Sequence, residues 1–171
     1  AVDGVSNTVS IYNITYAGQG YLVGGYNANA WSSTSNWTHD FDGIWENFIF
    51  NLTTDTKAQT LDPHGSWEVG RYATYDHNAY FATFGGGHDV YGGSGVIGNG
   101  SGYAHYVGSY VGEHFTGEGN IVNGVQNEFA TFTVNSLETF TFNEATDVPE
   151  PSTLAIFALG MIGLASRRFK K

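Results

Sequence analysis

From Thr8 onward the apolar residues of this chain tend to recur with a period of two, in short segments cut by Gly, Asn, Asp and Pro. Alternation of that kind puts every second side chain on one face of an extended strand, and it does not line one face of a helix. The residue types agree. Residues 1–147 hold four Leu, one Lys and no Met, against 12 Val, 16 Thr and 25 aromatic residues. β-Branched and aromatic side chains suit a pleated sheet, and the straight-chain helix formers are nearly missing. The expected class is all-β.

Residues 8–16 (TVSIYNITY) predict a first strand and residues 20–26 a shorter second one. The polar stretch 27–43 reads as a long loop. Residues 44–52 predict a strand with Phe48, Phe50 and Leu52 on one face, and residues 53–66, with Pro63, a loop. Residues 67–75 and 79–84 predict strands about a turn at Asp76-His77-Asn78. The Gly-rich residues 85–102 predict bulges or tight bends, and residues 103–111 return to strand. Residues 121–125 are short and turn at Asn123-Gly124. Residues 127–134 and 137–143 predict a hairpin about Asn135-Ser136, with Phe132 and Val134 on one face and Phe140 and Phe142 on another. About eight to ten strands without a helix predict an antiparallel β-barrel or β-sandwich. Residues 93–119 (GSGVIGNGSGYAHYVGSYVGEHFTGEG) resemble the Gly-rich strands of bacterial dirigent and allene-oxide-cyclase-type barrels, and that resemblance implies a barrel.

Charge is divided between two regions. Residues 1–147 carry two bases, Lys57 and Arg71, against 15 acids, a net of −13. Such a body repels phosphate backbones, so nucleic acid is not an expected partner. There is no Cys, which excludes disulfide and thiolate chemistry. The chain begins at Ala1 and its one Met is Met161, which predicts a removed secretory signal peptide.

The last residues, VPEPSTLAIFALGMIGLASRRFKK (148–171), have three parts. Val148-Pro149-Glu150-Pro151-Ser152 is extended, because proline disfavours helix before it. Leu154–Ala165 is an uncharged apolar run, and Arg167-Arg168-Phe169-Lys170-Lys171 is a basic stop. Ser152 or Thr153 can cap a helix there, with Glu150 near its positive end and the bases near its negative end. Extended by its flanking residues, the run is long enough for a marginal membrane span with the basic end in the cytoplasm. This order resembles the PEP-CTERM sorting tail. The resemblance implies Pro149, Glu150 and Pro151 as the recognition residues and Arg167 and Arg168 as the stop. It also implies temporary anchoring by the hydrophobic helix and processing by an exosortase-type enzyme. Delivery would then be to the surface or extracellular matrix of a Gram-negative, exopolysaccharide-making bacterium. The expected organisation is a β-rich extracellular domain over 1–147 and the tail over 148–171.

Within the body, Asp40, Asp42 and Glu46 lie about a Gly43 turn and offer oxygen ligands of the kind calcium takes. Trp31 and Trp37 stand in a polar stretch, where an aromatic face can stack on a sugar ring. No nucleophile elbow and no phosphate loop occurs. The expected function is structural or adhesive, in matrix or biofilm, with self-assembly into a homopolymer or filament. The alternative is a secreted carbohydrate-binding module that holds exopolysaccharide. Catalysis is not expected.

Overall fold

The computed structural model describes residues 2–38, 46–60, 72–86, 88–105, 110, 119–125 and 128–142. Ten strands follow in chain order: β1 Thr8–Tyr16, β2 Gln19–Asn27, β3 Thr34–Thr38, β4 Phe48–Asn51, β5 Thr56–Gln59, β6 Thr74–His77, β7 Thr83–Phe84, β8 Val90–Tyr91, β9 Gly102–Ala104 and β10 Ala130–Thr141. Their pairings are all antiparallel, in one sheet of order β3-β6-β7-β8-β9-β10-β1-β2-β4-β5. The sheet curls on itself as a half-barrel.

Strand β10 makes the curl. Its first residues, Ala130–Phe132, pair with β9, and Thr133–Thr141 pair with β1. Asn13 lies opposite Ser136 and Ile14 opposite Val134, so Asn135 is the extra residue of a β-bulge. Its amide donates to Thr15 Oγ1 at 2.9 Å and to Asn13 Oδ1 at 3.3 Å. A bulge adds one residue and so reverses which face the later side chains take. Ala130, Phe132 and Val134 are accordingly buried, whereas Phe140 is 46 % exposed and Phe142 60 %. The expected hairpin about Asn135-Ser136 is therefore one bulged strand. The expected separation of Phe132 and Val134 from Phe140 and Phe142 is what the bulge produces.

The two halves of the sheet meet across a shared core. Phe84 of β7 lies against Gly25 of β2, where an added Cβ would come within 2.6 Å of the ring. Trp31 packs edge-on against Phe84 at 5.7 Å, and the Tyr12 hydroxyl donates to the Ala82 carbonyl. Ile14, Val23, Ile49 and Val90 complete the centre of this cluster.

Other expectations shift for local reasons. The loops expected over 27–43 and 53–66 contain the edge strands β3 and β5. On β4 Ile49 and Asn51 face the central cluster, and Phe50, on the opposite face, is also buried, at 7 % exposure, over Gly24. Asn51 can point inward because its amide donates to the carbonyls of Ile121 and Val122, while its oxygen accepts from the N–H groups of Thr53 and Thr54. A buried polar group so satisfied costs little. Phe48 stacks on Tyr26 at 5.2 Å on the opposite face, and Leu52 is exposed. Asp76 and His77 belong to β6, and the turn follows them, closed by Tyr80 N–H to His77 O at 3.2 Å. The expected C-terminal helix lies outside the described residues.

Candidate functional site

Strand register brings a row of aromatic and imidazole rings to the outer face of the layer β3-β6-β7-β8-β9. Trp37 pairs with Tyr75 across β3 and β6, and Tyr91 pairs with Tyr103 across β8 and β9. On β6 the alternation is the reverse of the usual one: Thr74 and Asp76 are buried, while Tyr75 and His77 lie outside and half-buried. Trp37 sits 4.5 Å from Tyr75 and 5.2 Å from Tyr72. Tyr80 stacks on His77 at 4.1 Å and meets Tyr91 edge-on at 5.1 Å. The row continues from Tyr91 to Tyr103 at 5.0 Å, then to Phe129 at 5.5 Å, and ends with His105 stacked on Phe129 at 3.8 Å. Six neighbouring strands about 4.8 Å apart make the strip roughly 24 Å long. Each ring pair is worth about 0.5–1.5 kcal/mol beyond area burial, so the strip is pre-formed.

His88 is the hub of the strip. It touches Trp37 at 5.6 Å, Tyr75 at 5.5 Å, Tyr91 at 5.1 Å and Tyr103 at 6.1 Å. Its backbone is left-handed (φ 67°), which aims the ring out of the β7–β8 turn. The turn starts at Gly85, also left-handed (φ 84°), where an added Cβ would come within 2.2 Å of the Asp89 carboxylate. Burial lowers the His88 pKa, and its Nδ1 is buried with no hydrogen-bond partner among the described residues. Burial lowers His105 as well. Burial raises the phenols of Tyr91 and Tyr103, with a further rise from Tyr80. Burial therefore favours the neutral form of His88, His105, Tyr91 and Tyr103.

Asp76 holds the edge of the strip from beneath. Its Oδ2 accepts from Ser32 N–H, Ser32 Oγ and Thr38 Oγ1, each at 3.0 Å. Those bonds fasten both flanks of β3, and with them Trp37, to β6. Burial raises the Asp76 pKa, and the bonds from Ser32, Thr38 and Thr74 draw it part of the way back. Beside this edge a cleft of about 370 Å³ opens along Tyr75, His77 and Tyr80, with Asp3, Ser32, Ser33, Asn78 and Thr139 as polar walls. Ser33 Oγ donates to the Asp3 carboxylate. Apolar ring faces beside convergent hydroxyl, amide and carboxylate groups form the kind of surface that takes a sugar: stacking for its C–H face and hydrogen bonds for its hydroxyls.

The comparisons with known proteins concern the other end of the chain. Residues 147–171 match the PEP-CTERM protein-sorting motif. The chain carries a PEP-CTERM sorting signal. It is therefore an exported protein, sorted by exosortase to the cell surface or the extracellular space. No curated protein and no solved structure matches the chain, so the dirigent-type likeness of residues 93–119 gains no support from them.

The described residues place the two tryptophans expected to meet sugar in different surroundings. Trp37 lies in the strip. Trp31 is 6 % exposed, packs against Phe84 and donates from Nε1 to Thr8 Oγ1 at 2.7 Å, and its remaining surface lines the cleft. Its place in a polar stretch concealed this, because the partner that satisfies its indole lies 23 residues away. Of the expected calcium ligands, Glu46 is exposed, two residues before β4, and Asp40 and Asp42 lie outside the described residues. So do Pro149, Glu150, Pro151, Arg167 and Arg168, which fall within the matched motif. Tyr75, His77, Tyr80, His88, Tyr91 and Tyr103 were missed by the sequence reading. The available signal was the spacing of Tyr75 and His77, which puts both rings on one face of a strand.

Proposed function

We propose that the exported body of this protein holds secreted polysaccharide at the cell surface or in the matrix, through the aromatic strip and its neighbouring cleft. The observation that carries this is the continuity of half-exposed Trp, Tyr and His rings from β3 to the start of β10. Ring pairs brace a sheet, and a continuous line of partly exposed ring faces beside a polar cleft also offers what a sugar chain stacks on. The reading is of binding without turnover, in an exopolysaccharide-making Gram-negative host. Retention on exopolysaccharide purified from that host tests it. The expected result is binding that Trp37→Ala weakens at least about tenfold, with the glycan chain length unchanged after prolonged incubation. Unweakened binding by the variant would remove the strip from the account.

In the same reading, the tail anchors the precursor in the membrane until exosortase acts at Pro149-Glu150-Pro151, with Arg167 and Arg168 held on the cytoplasmic side. Replacing Glu150 by Ala is expected to leave the precursor in the membrane fraction.

A second reading, self-assembly into a homopolymer or filament, is favoured by one observation. The opposite layer exposes Phe140, Phe142, Leu22 and Leu52, and the sheet ends in the edge strands β3 and β5. Exposed apolar side chains and open edges are what strand-to-strand association uses. Sedimentation velocity of the tail-less body from 1 to 100 μM tests it, with concentration-dependent growth expected for assembly.

A further inference from the structure

We infer that the strip and cleft take an uncharged polysaccharide and turn acidic polysaccharides away. This rests on the reading of the strip as a polysaccharide platform and adds the chemical class of the ligand.

Recognition of a uronate, sulfate or phosphate group calls for Arg or Lys, whose donors pair with the anion. Neither residue stands in the strip or lines the cleft among the described residues. Lys57 sits on the other layer, its ammonium 4.2 Å from the centre of the Phe48 ring. Arg71 precedes Tyr72 and lies outside the described residues. The formal charges that do stand at the site are carboxylates. Asp3 lines the cleft, and Asp76 lies beneath its wall, bonded to Ser32. A carboxylate suits the hydroxyls of a neutral sugar, as acceptor to donor, and repels a second carboxylate.

The rest of the body acts in the same direction. Its net charge of −13 over residues 1–147 opposes any polyanion that comes within a Debye length, about 10 Å at 0.1 M salt. Burial favours the neutral forms of His88 and His105, so neither is set up as a cation for a polyanion. What remains for adhesion is stacking on ring faces and hydrogen bonding to phenols, hydroxyls and amides, which an uncharged chain satisfies in full.

Affinity electrophoresis of the tail-less body (residues 1–146) tests this, at pH 7.5 and at 20 and 500 mM NaCl. The gels contain hydroxyethylcellulose, galactomannan or polygalacturonate. The expected result is retardation by at least one neutral polymer, weakened at least about tenfold in Trp37→Ala and in Tyr91→Ala/Tyr103→Ala, and unchanged in Phe140→Ser. Near-ultraviolet circular dichroism establishes that each variant remains folded, and any that does not is replaced by Trp37→Leu. Polygalacturonate is expected to bind at least about tenfold more weakly at 20 mM salt, with the gap narrowing at 500 mM as repulsion is screened. Strip-dependent binding of polygalacturonate that equals or exceeds neutral binding at low salt overturns the charge inference and leaves the platform standing. Loss of that binding in Arg71→Ala would name the cation responsible. Retardation that ignores the strip variants, or none in any gel, overturns the platform and this inference together.

Discussion

The two layers of the half-barrel carry aromatic rows on their outer faces, and the rows differ in what their polar atoms do. Across β10, β1, β2 and β4 the register aligns Phe140, Val9, Tyr26 and Phe48, with Gln59 of β5 beyond. Two of these rings are plain hydrocarbon. The hydroxyl of the third, Tyr26, is spent on Asn7 Oδ1 at 2.8 Å. That row is a ladder of cross-strand pairs, the ordinary means of stabilising a sheet. The row across β3, β6, β8 and β9 consists of Trp, Tyr and His, with a polar atom on nearly every ring, and a cleft opens at its side. Both rows obey the same packing rules. Only the second can offer hydrogen bonds along with ring faces, and this is what separates a binding surface from a braced one.

Predictions that test this contrast begin with the residue beneath both layers. Phe84→Ala empties the contact with Gly25 and Trp31 and is expected to lower unfolding free energy by about 3–5 kcal/mol, read by urea denaturation. If the layers were independent, the loss would fall on one of them, and near-ultraviolet signals from the two faces would melt apart. Asp76→Ala leaves the Ser32 N–H without its acceptor at the rim of the strip and is expected to cost about 1–3 kcal/mol. It should also weaken glycan binding, because β3 loses its fastening, whereas a change of equal cost on the opposite layer should not.

Trp37→Ala is expected to cost about 1.4 kcal/mol of binding, the equivalent of tenfold in affinity, together with a loss of stability from its ring contacts with Tyr72, Tyr75 and His88, so affinity is read at a temperature where the variant is folded. Phe142→Ser on the other face should leave affinity unaltered, and an equal effect of the two would erase the distinction drawn between the rows. The smallest effect concerns pH. The His88 pKa is lowered on folding, so the unfolded chain binds the proton more readily, and stability falls as pH drops below about 6.5 toward the folded value. His88→Asn, which tolerates the left-handed backbone, is expected to reduce this slope between pH 7 and 5. An unchanged slope in the variant would assign the effect to other groups, His105 among them.

Strands β1 and β2 lay close to the surface of the sequence, because Thr8–Tyr16 alternates cleanly and Ala17-Gly18 interrupts it. β10 was half legible. Its two faces could be read from Phe132, Val134, Phe140 and Phe142, but a turn and a bulge both reverse the phase, and only pairing with β1 tells them apart. β4 and β6 misled, since Asn51 and Asp76 face inward and their partners come from residues 121–122 and from 32 and 38. A polar residue at a core position is recognisable only once its distant partners are known.

By itself, the order of residues determined the all-β class, the acidic body and the sorting signal at the C-terminus. These depend on local periodicity, summed charge and a short contiguous motif, each written along the chain. The tertiary structure decided which of Trp31 and Trp37 is buried, and it gathered rings from Trp37 to Phe129 into one strip. That outcome depends on pairings between strands far apart in the chain, β3 with β6 above all. Local preference sets which side chains share a face, and long-range pairing sets which faces meet.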